Sequence, residues 1–202
     1  MVNFMKQDSS TPDFWQTHYQ TKVTPWDAGG VPQRLKAFLR DRTSGQKLLI
    51  PGCGSGYEIA AFALAGHDVT AIDFAEAAVE RARKQLGTLP GRVILSDFFA
   101  ADLPESGFDL VYERTFLCAL PRRLWEDYAA RVASLLRPGG ELAGFFYFAV
   151  KDTGPPFGLK EGELQALLAP YFVCAADELV PEEQSVPVLS GGERWMIWKR
   201  SL

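Results

Sequence analysis

The stretch "LLIPGCGSGYE", residues 48–58, decides how the rest of the chain is read. An apolar run ends in Pro51 and is followed by Gly52, Gly54 and Gly56 at every second position. Ordered glycine loses more conformational freedom than any other residue, so three together mean that the backbone must come close to something. The run before them, 47–51, reads as a buried strand. The stretch after them, "YEIAAFALAGH", is apolar nearly all round and reads as a helix packed under a sheet, with Gly66 suited to its C-terminal cap. A turn between a first strand and its helix is where doubly wound sheets bind nucleotides.

The alternation continues outward. "DVTAID" (68–73) predicts a second strand, and Ala75, Ala78, Val79, Ala82 and Leu86 recur at helical spacing, with Glu80 and Lys84 paired on the outer face. "RVILSDFF" (92–99) and "FDLVYERTF" (108–116) predict strands three and four. Leu124, Tyr128, Val132 and Leu135 mark a helix that stops at "RPGG" (137–140). "ELAGFFYFAV" (141–150) predicts strand five, and "LKEGELQALLAP" carries a further helix. "YFVCAADELV" and "ERWMIWKRS" have no helical pattern between them and are expected to pair antiparallel. The expectation is an α/β protein: a doubly wound, mostly parallel, Rossmann-like seven-stranded sheet with an antiparallel last strand. Residues 1–45, with Trp15, Tyr19 and Trp26, are too few for a domain and read as a helical cover, so 1–202 is expected to be one domain.

Composition bounds the function. The chain has 202 residues and a net charge of −4, and no Lys/Arg run, so it lacks the electrostatic footprint of a nucleic-acid binder. No segment approaches about 18 unbroken apolar residues, and the N-terminus has no secretory pattern, so no membrane span is expected. Cys53, Cys118 and Cys174 are odd in number and scattered, with no CxxC, which fits a reducing compartment and argues against a zinc site. His18 and His67 are too few for a metal cluster. The expectation is a cytoplasmic protein with no metal; the sequence is silent on oligomeric state and compatible with a monomer.

Two ligands compete for the glycine turn. A dinucleotide fold places a pyrophosphate on the helix N-terminus and wants GxGxxG. Here the third glycine comes one place early, and Tyr57 occupies the position it would need. GxGxG, with Asp73 in "AIDF", Asp97 at the end of strand three and "LLRPGGELAGF" before strand five, resembles the class I S-adenosylmethionine methyltransferases. That resemblance implies a turn approaching the methionine part and ribose, Asp73 accepting from the ribose hydroxyls, and Asp97 and Phe98 at the adenine.

Residues 14–35 ("FWQTHYQTKVTPWDAGGVPQRL"), "LIPGCGSGYE", "FDLVYERTFLCAL" and "GPPF" (154–157) resemble the thiopurine methyltransferase superfamily and its thiol and halide methyltransferase branch. The similarity runs from about residue 13 to the end. It implies cofactor contacts at Trp15, Tyr19, Trp26, Gly52, Gly54, Asp73, Asp97, Phe98 and Arg114, with Asp27 beside Trp26 in the closing segment. It also implies that Arg114 and Tyr147 flank the methyl acceptor. Tyr19 stands where plant members have tryptophan. Arg114 matches the thiopurine branch, while the halide branch tends to have tyrosine.

Physical reading of these residues runs alongside. A cation under an indole face gains about 0.5–2 kcal/mol, which suits a sulfonium, and Trp15 and Tyr19 share one helical face. Core packing is the plainer account of that face. Arg114 at a strand end needs a carboxylate, from Glu113, the cofactor or a substrate. Cys118 reads as a small buried hydrophobe rather than a nucleophile. The NPPY stretch of adenine methylation and the Pro-Cys nucleophile of cytosine chemistry are missing, which favours a small-molecule acceptor. The expected reaction moves the methyl of S-adenosylmethionine to a soft nucleophile, a thiol, thiopurine sulfur, halide or thiocyanate, leaving S-adenosylhomocysteine. A small-molecule O- or N-methyltransferase and a non-catalytic cofactor-binding regulator are the rival readings. A dinucleotide oxidoreductase would need the missing glycine.

Overall fold

The computed structural model describes residues 8–151, 153–189 and 191–202. Its strands are β1 (Lys47–Pro51), β2 (Asp68–Asp73), β3 (Arg92–Leu95), β4 (Phe108–Arg114), β5 (Leu136–Tyr147), β6 (Phe172–Leu179) and β7 (Glu193–Arg200). They form one sheet in the order β3-β2-β1-β4-β5-β7-β6. The first five run parallel, and β7 lies between β5 and β6, antiparallel to both. The expected doubly wound sheet with an antiparallel last strand is the one observed. Its order reverses between β1 and β4, where the crossovers leave a crevice at the strands' C-terminal ends.

Alternation along the strands divides the core in two. Leu48 and Ile50 point to one face, under α2 (Gln33–Arg40), α3 (Tyr57–Leu64) and α4 (Glu76–Leu86). Leu49 points to the other, under α5 (Trp125–Leu135) and α6 (Glu163–Leu168). Burying such a side chain is worth about 1.5–3 kcal/mol, so a strand apolar on both faces stays in the middle of the sheet.

Several boundaries differ from the sequence expectation. Strand three ends at Leu95 instead of running to 99, because the Asp97 side chain accepts a hydrogen bond from the Phe99 N–H (2.9 Å) and turns the chain. Strand four ends at Arg114, ahead of Thr115 at φ 60°. Strand five starts at Leu136 and runs to Tyr147, so "RPGG" is no simple terminator. Its register against β4 jumps between the Phe108–Leu136 and Leu110–Glu141 pairs, and the extra residues form a bulge, where a proline without N–H is tolerated.

The N-terminal segment divides as well. Helix α1 (Pro12–Thr21) stays off the sheet and packs Tyr19 against Ala75 and Ala78 at the start of α4. The Gln16 side chain accepts the Ala77 N–H (2.9 Å), and Arg81 donates to the Tyr19 carbonyl. Helix α2, by contrast, buries Leu35 and Phe38 in the sheet core, with Phe38 against Trp195. Only the first part of the segment covers the crevice.

Candidate active site

The glycine turn links β1 to α3 at the crevice. Gly52 and Gly54 have φ of +57° and +51°. A Cβ on Gly52 would stand 2.2 Å from the Phe116 ring, and one on Gly54 would stand 2.5 Å from the Tyr19 hydroxyl. No side chain fits at either place. Gly56 serves packing instead, since its Cβ would meet the Ala82 Cα of α4 at 2.6 Å. Two of the three glycines therefore bring bare backbone to the crevice.

Asp73, at the end of β2, faces this turn. One oxygen accepts the Gly54 N–H (3.0 Å) and the other the Ala75 N–H (2.9 Å). The Phe74 N–H also acts on this carboxylate, so of its roughly four acceptor sites about one stays free. Burial pushes Asp73 up to about 6, against these backbone hydrogen bonds, which hold it down.

A cavity of about 920 Å³ opens over the turn. Of the residues expected to hold a cofactor, Trp15, Tyr19, Trp26, Gly52, Gly54, Asp73, Asp97, Phe98 and Arg114 all border it. Trp15 and Trp26 meet edge to face at 5.1 Å, and the Trp26 indole N–H points at the Tyr19 hydroxyl (3.4 Å). Asp27 ties this cluster to the turn by accepting from the Ser55 hydroxyl (2.5 Å). Phe98 is buried against Phe116, whereas Asp97 is exposed at the rim. Tyr147 is half-buried at the end of β5 and is not among the residues bordering the cavity. Cys118, Pro155, Pro156, Val188 and Leu189, from segments that follow β4 and β5 and precede β7, also border the cavity.

With this geometry in place, the relatives are informative. The thiopurine S-methyltransferase family model matches residues 10–201. The chain belongs to the thiopurine S-methyltransferase family. A probable thiol methyltransferase 2 of Arabidopsis thaliana is 34% identical over 93% of this chain and 84% of its own length. Thiocyanate methyltransferase 1 of the same plant is 29% identical over 92% and 84%. Among solved structures, the 1,6-didemethyltoxoflavin-N1-methyltransferase of Burkholderia thailandensis superposes with a TM-score of 0.76 at 21% identity, covering 95% of this chain and 87% of that one, a likeness of fold. The protein is an S-adenosylmethionine-dependent methyltransferase.

The residues of this family member fit that cofactor. Bare backbone, the spare acceptor capacity of Asp73 and an aromatic cluster suited to a cation meet at one cavity. Two bordering polar atoms, the Tyr112 hydroxyl and Arg114 Nη2, are buried with no partner among the described residues, as donors waiting for a ligand would be. Among the described residues no group of His, Cys, Asp and Glu could hold a metal ion, and no helix is long and apolar enough to cross a membrane.

Three acidic residues in or beside the site take places that the sequence did not assign to them. Arg114 pairs with Glu193 (3.0 Å) at the start of β7, not with its neighbour Glu113, and its guanidinium lies over the Phe145 ring at 4.1 Å. Successive strand residues point to opposite faces, so Glu113 turns the other way. There it accepts from Tyr128 (2.7 Å), Phe116 N–H (2.8 Å) and Leu117 N–H (3.0 Å), fixing the turn that carries Phe116 to Gly52. Burial pushes Glu113 up to about 7. Glu193 also accepts from the Ser185 hydroxyl and the Val186 N–H (3.3 Å), which ties Arg114 to the segment bearing Val188 and Leu189. Glu58, in the first turn of α3, is the third, and its only hint was its place beside the glycines.

Proposed function

We propose that this methyltransferase acts on the sulfur of a small thiol or on a comparably soft anion such as thiocyanate. The observation that carries the cofactor half is Asp73, held by backbone N–H groups beside bare glycine backbone with acceptor capacity to spare. When bound, S-adenosylmethionine supplies a methyl group on a cationic sulfur. Support for the acceptor half comes from the family and from relatives named for thiols and thiocyanate.

The wall itself reports how the chain treats a thiol. Burial and the charges of Glu113 and Glu193 push the Cys118 thiol up, against the opposing Arg114. Arg114, neutralised by Glu193, does not by itself make this wall favourable to a thiolate. The chain's contribution is to position the acceptor and exclude water, so acceptors already ionised at working pH should turn over best. Arg114 then belongs to the cofactor side of the cavity, and Cys118 remains a packing residue.

The test is methyl transfer from labelled S-adenosylmethionine to thiols spanning a range of pKa, with hydrosulfide, thiocyanate, phenols and amines in parallel. Transfer to sulfur is expected, with kcat/KM at pH 7 rising as thiol pKa falls towards 7. Activity confined to phenols or amines would remove the sulfur reading and leave the small-molecule O- or N-methyltransferase.

A further inference from the structure

A buried carboxylate stands behind the turn that joins two sides of the cavity. Glu113, the last residue but one of β4, is 1% exposed and does not itself border the cavity. The turn after it does, through Thr115, Phe116, Cys118 and Ala119. Thr115 stands at φ 60°, a conformation that a β-branched residue keeps only where its surroundings over-determine it. The Glu113 carboxylate is placed to do so. One oxygen accepts from both the Phe116 N–H (2.8 Å) and the Leu117 N–H (3.0 Å), and the other accepts from the Tyr128 hydroxyl of α5 (2.7 Å). The turn in turn carries two pieces of the site. The Phe116 ring lies against the bare backbone of Gly52 and edge-on to Phe98 at 5.4 Å. The Cys118 carbonyl accepts the Phe157 N–H (2.7 Å), which ties in the segment bearing Pro155 and Pro156. A shift of about 1 Å between reacting groups can cost about 100-fold in rate, so slack in this turn would be felt in turnover.

The proton on this carboxyl changes the strength of the anchor and not its shape. Ionised, Glu113 accepts three charge-assisted hydrogen bonds. Protonated, it can still accept the two N–H groups and donate to the Tyr128 oxygen, but as neutral bonds of about half the strength. Burial pushes Glu113 up to about 7, against the Leu117 N–H, the Tyr128 hydroxyl, the Phe116 N–H and the charge of Arg114, so both forms are populated near neutral pH. Its titratable and charged neighbours are Tyr128 from α5, Cys118 from the turn, and Tyr112 and Arg114 from β4, the last paired with Glu193 of β7. Strand β5 meets it with Gly144. Burial keeps Tyr112, Tyr128 and Cys118 protonated through this range.

We propose that Glu113 is a positioning residue for methyl transfer: its charge sets how firmly the 115–119 turn holds the glycine turn and the 155–157 segment in register, so that turnover follows its ionisation. The residue touches neither cofactor nor acceptor and acts through Phe116 and Cys118. The kinetic half of its test rests on the reading of a sulfur acceptor; the structural half does not.

Methyl transfer from saturating S-adenosylmethionine to thiocyanate and to thionitrobenzoate forms the kinetic half. Both acceptors stay ionised between about pH 6 and 8, so their own titration drops out, and saturating cofactor keeps the Asp73 transition out of the profile. From about pH 8 to 6, kcat should fall about three- to tenfold with a midpoint near 7, as charge-assisted bonds become neutral. Glu113→Gln imitates the protonated carboxyl and should stay at the acid level throughout. Glu113→Ala should lie about tenfold or more below Glu113→Gln, because the two N–H groups lose their acceptor. Tyr128→Phe removes a group that holds the carboxyl down and should move the midpoint up; it carries the comparison should Glu113→Gln fail to fold. The structural half needs no acceptor. Protection of the Phe116 and Leu117 amides from hydrogen exchange, taken relative to the intrinsic rate, should fall over the same range in the wild type and stay flat in Glu113→Gln. A flat wild-type kcat, a Glu113→Gln variant as active as the wild type at about pH 8, an unmoved midpoint in Tyr128→Phe, or protection that ignores pH overturns the inference. Transfer to neither anion removes the sulfur reading instead, and the change in amide protection then upholds the anchor on its own.

Discussion

At Asp73 burial and hydrogen bonding pull in opposite directions, and burial wins by enough to bring the group to about 6 from an ordinary value of 3.8. The free protein therefore holds a proton here between about pH 4 and 6 that the unfolded chain has lost. A ligand whose hydroxyls donate to the carboxylate binds only the ionised form, so its affinity is full above about pH 6 and is lost as pH falls below it. S-adenosylhomocysteine should bind about tenfold more weakly at pH 5 than at pH 7, one unit below the transition being one factor of ten. Glu113 titrates nearby, so Asp73→Asn is the control: it should flatten the profile between pH 5 and 7 and cost about 1–3 kcal/mol of affinity at neutral pH. Calorimetry across that range decides, and a flat wild-type profile would mean the carboxylate is not in contact with the ligand. Tyr147 poses a different question at the same scale. It is not among the residues bordering the cavity, so no direct contact with the acceptor is expected of it. Tyr147→Phe should change the acceptor KM by no more than about threefold and leave kcat intact. A loss of about 10- to 100-fold in turnover, with S-adenosylhomocysteine affinity unchanged, would place the hydroxyl on the acceptor.

Among the elements, β7 joins parts of the site that are remote in sequence. Glu193 at its start is 3% exposed and pairs with Arg114, 79 residues away, while holding Ser185 and Val186. Removing one partner of a buried pair leaves the other charge uncompensated, so Glu193→Ala should destabilise the fold by about 3–5 kcal/mol. Replacing both Arg114 and Glu193 by leucine should cost less than the two single changes added together. Urea unfolding of the four proteins forms the cycle, and strict additivity would show that the pair is not coupled. Such long-range pairing marks the limit of what sequence made legible. Strands one, two and four were readable because central parallel strands are apolar on both faces, and the glycine turn with Asp73 was readable because one βαβ unit contains both. The partner of Arg114 was not: adjacency suggested Glu113, but strand pleating sends neighbours to opposite faces, and no local pattern reveals which distant carboxylate arrives. Strand three was read too long because the Asp97 turn is set by a side-chain hydrogen bond rather than by hydrophobicity. Glu58 escaped notice because an acidic residue in a first helical turn has an ordinary explanation in the helix dipole.

For the molecule as a whole, the sheet and the cover are held by different kinds of contact. Two continuous apolar clusters clamp the sheet, while α1 and the segment to Gly30 rest on one buried tyrosine, half-buried Trp15 and Trp26, and a few polar ties. Those ties are Gln16 to Ala77, Arg81 to the Tyr19 carbonyl, Ser55 to Asp27 and, before the helix, Arg123 to Asp8 (3.0 Å). Segments with few buried apolar contacts open at lower free energy than core strands, so the cover should open without the sheet unfolding. A cationic ligand beneath Trp15, Tyr19 and Trp26 would add contacts that only the closed cover can make. Hydrogen exchange should therefore slow across residues 12–30 and the glycine turn when S-adenosylmethionine or S-adenosylhomocysteine is added, with amides of β5 and β7 unchanged. The methylated cofactor should protect the segment more than its neutral-sulfur product, because the indole and phenol faces favour the cation. Asp27→Ala cuts the tie to Ser55 and should raise exchange in the cover of the free protein while leaving the sheet as it was. Equal protection of residues 12–30 with and without ligand would make the cover a fixed part of the fold and Trp15 and Trp26 packing residues. Equal protection by the two ligands would leave a cover that closes on shape alone, without reading the sulfonium charge.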